Sequence, residues 1–134
     1  MSFSAACSHY VRNELGYTCQ PRPPLGDEGD EIAAAVERLA DRCGIDASGY
    51  QFVMWDERLD WNGDPITGAY DDVGGRDQIL LWSGHGGSAS DLSRIDWART
   101  IAHEHYHHLY GGGHGNDNPF HSAAISACTA ALAQ

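Results

Sequence analysis

The chain has 134 residues, of which 42% are hydrophobic and 20% charged, enough for one compact domain and too short for two ordinary ones. Nineteen Asp and Glu stand against eight basic residues, all of them Arg, for a formal net charge of −11. That balance argues against phosphate-tracking nucleic-acid binding and against an anionic membrane surface, both of which need a basic face. The longest apolar runs, such as residues 32–36 and 79–82, are far below the roughly 20 residues of a membrane-spanning helix.

In chain order, residues 1–26 read as a short helix over 4–15, stopped by Gly16, and a Pro-rich loop over 20–25 that cannot continue a helix. This start carries no basic leader followed by an apolar block, so no signal peptide is expected, and the chain is expected to be cytosolic or secreted after processing. A second helix is better marked. Residues 27–30 supply an acidic first turn, Ile32, Val36, Leu39 and Cys43 recur at helical spacing, and Gly44 follows as the stop. The period then changes. Segments 50–55, 65–70 and 78–82 are short, aromatic or β-branched, and separated by turn residues, which predicts a three-stranded antiparallel or mixed sheet.

After a Gly-rich loop at 83–90, Asp91 is the expected cap of a helix running to Tyr110, where Gly111, Gly112 and Gly113 stop it. Its apolar face is expected to use Ile95, Ala98, Ala102, Tyr106 and Leu109. A last helix starts at Asn118 and Pro119, a cap followed by a first-turn Pro, and continues through Ile125, Cys128 and Leu132. The expected fold class is α+β, a single domain over 1–134 with two helices, three strands and two helices. The four Cys (Cys7, Cys19, Cys43, Cys128) lack CxxC spacing, which speaks against a zinc knuckle or a thioredoxin-type pair and leaves disulfides and buried thiols both open.

Chemistry concentrates in the histidines. Six of eight lie between His103 and His121, and one stretch reads His103-Glu104-His105-Tyr106-His107, an HExxH pattern. On an α-helix, residues i and i+4 share a face, so His103 and His107 can reach one ion while Glu104 projects beside it. Two imidazoles suit zinc, and the carboxylate next to them suits a general base.

An HExxH helix after a small sheet, with a terminal helix behind it, resembles the minimal-sized zincin metallopeptidases over roughly residues 28–134. That resemblance implies a zincin-like fold, Zn2+ as cofactor, His103 and His107 as ligands, Glu104 as general base, a third ligand downstream, and a protein or peptide substrate. It also implies a substrate-aligning edge strand just before the motif helix, here 78–82. Gluzincins use a downstream Glu, but Glu104 is the last in the chain. Metzincins need a Gly where Tyr110 stands and a later Met, and the only Met residues are Met1 and Met54. An aspzincin-like ligand is confined to Asp117.

Two histidines compete for the third position. His121 matches the long gap of SprT-like zincins, where the third His opens the following helix. It shares a stripe with Ile125, Cys128 and Leu132. His114, after the glycines, resembles the short aromatic-Gly-Pro-His arrangement of WLM-type zincins with one residue added. The preferred set is His103, His107 and His121, with His114 as the competitor. Tyr106, Tyr110 and whichever of these two His is not a ligand are candidate transition-state donors. His105 should face away from the metal, His108 should hydrogen-bond Glu104 or face water, and His9 and His85 have bland surface or turn readings. The alternative functions are a catalytically inactive zinc-binding module that recognises peptides, and a small acidic interaction protein with incidental histidines. The oligomeric state is not legible.

Overall fold

The computed structural model describes residues 2–3, 23–55, 60–61, 64–65, 67–73, 76–82 and 96–134. The helix expected at 4–15, the 83–90 loop, Asp91, Ile95, His9, His85, Cys7 and Cys19 lie outside them.

Helix α1 (Glu28–Cys43) begins with Glu28, Asp30 and Glu31 in its first turn, where acidic side chains meet the positive end of the helix dipole. Glu28 folds back so that its Oε1 accepts the Leu25 N–H at 2.6 Å. Ile32, Ala35 and Leu39 form its buried stripe, and the chain leaves through Gly44, whose N–H returns to the Leu39 carbonyl. Beyond it come strands β2 (Gln51–Trp55), β3 (Asp60–Trp61), β4 (Asp64–Pro65), β5 (Gly68–Val73) and β6 (Arg76–Trp82), while Ser2–Phe3 at the start of the chain form β1.

The sheet runs β1-β2-β6-β5, with β1 and β6 parallel to β2 and β5 antiparallel to β6. β3 and β4 pair separately. The expected α+β class and small mixed sheet are present, extended by the two-residue β1. The strand expected at 65–70 divides into β4 and β5. Placement of the edge also differs from expectation: residues 78–82 lie in β6, inside the sheet, and among the described residues β5 is the edge on that side. The reason lies in connectivity, because β6 inserts between β5 and β2 and chain order does not give sheet order. Its interior position is visible in its burial. Ile79, Leu80, Leu81 and Trp82 are all buried, as are Phe52, Val53, Met54 and Trp55 of β2, the continuous pattern of strands covered on both faces.

Phe52, Met54, Ile79 and Leu81 join Ile32, Leu39, Ala98, Ile101, Cys128 and Leu132 in one apolar cluster, so one sheet face packs on the helices. Helix α2 spans Trp97–Tyr110 and α3 spans Pro119–Leu132. The cap of α2 is Asp96, not Asp91: its side chain accepts from the Ala98 and Arg99 N–H groups. The predicted apolar face holds at Ala98 and Ala102, but Leu109, in the last turn of α2, is exposed. A disulfide joins Cys43 and Cys128, fixing the end of α1 to the later half of α3.

Candidate metal centre

The site grows from the junction of α2 and α3. His103 and His107 sit one turn apart on α2, as helical spacing requires, and the Nε2 atoms of the two rings are 2.9 Å apart. After His107 the helix stops at Gly111, whose φ of 95° is a conformation that glycine adopts without strain. The chain then reverses, and His114 Nε2 arrives 3.0 Å from both His103 Nε2 and His107 Nε2. A single 3-10 turn (Gly115–Asp117) leads into α3. There Asn118 does two jobs: its Oδ1 accepts the His121 N–H at 3.1 Å, and its Nδ2 donates to the Tyr110 carbonyl at 2.8 Å. The end of α2 is thereby tied to the start of α3.

His121 enters from α3. It is 1% exposed, its ring stacks on His107 at 4.2 Å, and it lies 4.9 and 5.0 Å from the rings of His103 and His114. Neither of its ring nitrogens completes a hydrogen bond of ordinary geometry, although one approaches the His103 carbonyl closely enough to oppose the effect of burial on the ring's proton affinity. One ligand atom from each of His103, His107, His114 and His121 lies within 4.8 Å of the others. These four side chains are close enough together to hold a metal ion, so both contenders for the third position are at the site.

Fit to a cation can be tested on the nitrogens themselves. Three Nε2 atoms spaced at 2.9–3.0 Å approach the separation of about 3.3 Å between nitrogens around a tetrahedral zinc ion with bonds of about 2.05 Å. Mutual hydrogen bonding is a poor alternative, since neutral imidazoles carry one proton each and His107 has already placed its own. Its Nδ1 lies 2.8 Å from the Gly111 carbonyl and donates there, which leaves the Nε2 lone pair free to face the centre, the usual way a metal-binding imidazole is oriented. Burial first, then the neighbouring imidazoles, pushes His103 down to about 4. His107 and His121 are also lowered, with burial as the main cause. For these three rings burial favours the neutral form, the one that binds metals.

Glu104, next to His103 on α2, faces strand β5. It is 7% exposed, and burial pushes its carboxyl up to about 8, opposed by a hydrogen bond from the Tyr70 backbone on β5. Close approach of α2 to β5 depends on Gly68: a Cβ there would fall 2.8 Å from Thr100 Cγ2, 2.9 Å from the Leu80 carbonyl oxygen and 3.4 Å from Glu104 Cγ.

Comparison with protein-family models, curated proteins and solved structures gives no match. The site therefore has to be read from its own chemistry.

A second polar network, not foreseen from the sequence, braces α2 against the sheet. His105 Nδ1 receives the Tyr50 hydroxyl at 2.7 Å, and Tyr50 is pushed up to about 12 by burial and by the Asp77 charge, which keeps the phenol a donor. Tyr70 donates its hydroxyl to Asp77 Oδ1 at 2.7 Å. His108 Nδ1, 2.6 Å from the same hydroxyl oxygen, then supplies the proton of that contact. His108 thus bonds Tyr70 rather than Glu104. Tyr106 and Tyr110 stack on each other at 6.1 Å, and Tyr110 stacks on Phe120 at 6.4 Å. Asp117, the remaining acidic contender, is exposed and outside the group of four imidazoles.

Proposed function

We propose that this protein is a zinc-dependent metallopeptidase, resembling the minimal zincins, with Glu104 as general base and a protein or peptide as substrate. The observation that carries the reading is the juxtaposition of three imidazole Nε2 atoms at 2.9–3.0 Å with a buried carboxylate on the adjoining residue of the same helix. Imidazole nitrogen is a common ligand of zinc, as it is of copper, iron and nickel, and zinc when bound would supply a Lewis acid and lower the pKa of water toward about 7.

The chain's own residues supply the rest. His103 and His107, with His114 and His121 facing the same point, hold the ion. Glu104 moves the proton, taking it from the attacking water and returning it to the leaving amine. A carboxyl at about 8 without metal is too protonated for a base at neutral pH, but a dication close by favours the carboxylate. Glu104 would thus take the carboxylate form more readily with a metal held by the neighbouring imidazoles. The strand beside it, β5, is the sheet edge among the described residues and offers its backbone to an extended peptide, a common way of binding one.

The test uses the purified full chain with stoichiometric zinc and an unstructured protein substrate. Wild type is expected to cleave it, and Glu104→Gln to bind zinc equally while cleaving nothing. If wild type with one bound zinc cleaves no such substrate, the peptidase reading falls. The second reading, an inactive zinc-binding module that recognises peptides, is favoured by one observation: four imidazoles are on hand, and closed four-ligand sites are characteristic of structural zinc.

A further inference from the structure

An open catalytic zinc uses three protein ligands, and this site offers four imidazoles. The fourth is not a bystander at the rim. His121 is 1% exposed, and neither ring nitrogen completes a hydrogen bond of ordinary geometry; one approaches the His103 carbonyl, which leaves the other without a partner, and burying such a group unsatisfied costs free energy. A cation among the other three rings would satisfy that nitrogen. His121 is also held by its helix, whose first turn Asn118 caps and whose later half the Cys43–Cys128 disulfide anchors.

His114 is its opposite. It is exposed, and it sits in the connection between α2 and α3, bracketed by Gly111 at φ 95° and Gly115 at φ 57°. Two such glycines let the backbone on either side change course at low cost. One helix-held buried ligand and one exposed loop-held ligand converge on the same point.

We propose that the metal is held at rest by all four imidazoles, His103, His107, His114 and His121, and that His114 is the exchangeable one, leaving to open a coordination position. This rests on the metal-binding reading above and adds to it a closed resting state. The glycine turn then governs access: the site is shut while His114 is in place, and the chain's own loop competes with any incoming ligand.

Cobalt(II) is the probe, loaded into the full chain in place of zinc, with azide as the incoming ligand. X-ray absorption of the wild-type cobalt protein is expected to count four imidazoles, and its visible spectrum to ignore azide at millimolar concentration. His114→Ala should keep one cobalt per chain and gain an azide-dependent spectral change. His121→Ala should bind cobalt at least about tenfold more weakly, by analogy with the loss of supporting residues at metal sites. Three imidazoles with an azide response in wild type would overturn the proposal, and so would a His121→Ala protein with wild-type affinity and spectrum. Because the ligand count is read on wild type, a variant that fails to fold leaves the test intact. A wild-type chain that binds neither cobalt nor zinc refutes the underlying metal site instead.

Discussion

Replacing Glu104 by Gln should stabilise the metal-free protein as pH rises, even though it removes the proposed catalytic base. The carboxyl is 7% exposed and sits at about 8 in the fold against an ordinary value of 4.5. A raised acid pKa means that the folded state holds its proton longer than the unfolded chain does, so stability falls as pH climbs from 4.5 to about 8 and the full penalty applies above that. At about 1.4 kcal/mol per tenfold in proton affinity, the penalty reaches about 5 kcal/mol above pH 8 and about 3 kcal/mol at pH 7. Gln stays neutral throughout and still offers an oxygen to the Tyr70 N–H. The stability gained by Gln over Glu should therefore grow by about 3 to 4 kcal/mol between pH 5 and pH 8. His103, held at about 4 against 6.5, works in the opposite sense, its contribution being lost as pH falls from 6.5 toward 4. It is common to both proteins and largely cancels. Urea unfolding with a chelator present, repeated across this pH range, measures the difference, and with slopes of about 1–3 kcal/mol per molar the midpoints at pH 7 should separate by about 1–3 M. Parallel pH profiles for the two proteins would refute the buried-acid argument. Adding zinc should shrink the gap, because a dication stabilises the carboxylate.

Serine at Cys43 and Cys128 removes a cross-link between residues 85 apart, worth about 4–5 kcal/mol by loop-closure entropy; equal denaturation midpoints with and without reductant would contradict that. Gly68→Ala brings a methyl against Thr100 and the Leu80 carbonyl, so a loss of about 1–3 kcal/mol is expected from overpacking. Unchanged thermal stability would mean that α2 does not approach β5 this closely. Asn118→Ala removes both the His121 cap and the bond to the Tyr110 carbonyl; about 1–2 kcal/mol should be lost, and zinc competition with a chromophoric chelator should show weaker retention. Retention equal to wild type would show that His121 needs no such support.

Much of the centre is legible in the sequence where helical geometry alone decides. His103, Glu104 and His107 need only a period of 3.6, and Asn118-Pro119 announces the helix that carries His121. His114 and His121 appear as rivals in the sequence because nothing in a linear string says that the Gly111 turn and α3 deliver two rings to one point. The network of Tyr50, Tyr70, Asp77, His105 and His108 is invisible for a related reason: it depends on which strand lies beside α2 and in what register. The same dependence misplaces the edge strand, which chain order assigns to 78–82 and sheet order, among the described residues, gives to β5. Asp96 and Asp91 are equally good caps as residue types, and only the hydrogen bonds to Ala98 and Arg99 separate them. Four Cys allow three complete pairings, so the Cys43–Cys128 bond could not be singled out.

All four metal-facing rings fall between His103 and His121, on one helix, one turn and the start of the next, whereas the partner of Glu104 is the backbone of Tyr70, far away along the chain. Contacts close in sequence form with little loop-closure cost and distant ones with more. Bringing the four rings together is thus a property of a short stretch of chain, while burying the neighbouring carboxylate is a property of the whole fold. Local unfolding that parts α2 from the sheet would therefore cost Glu104 its burial before it cost the four rings their proximity.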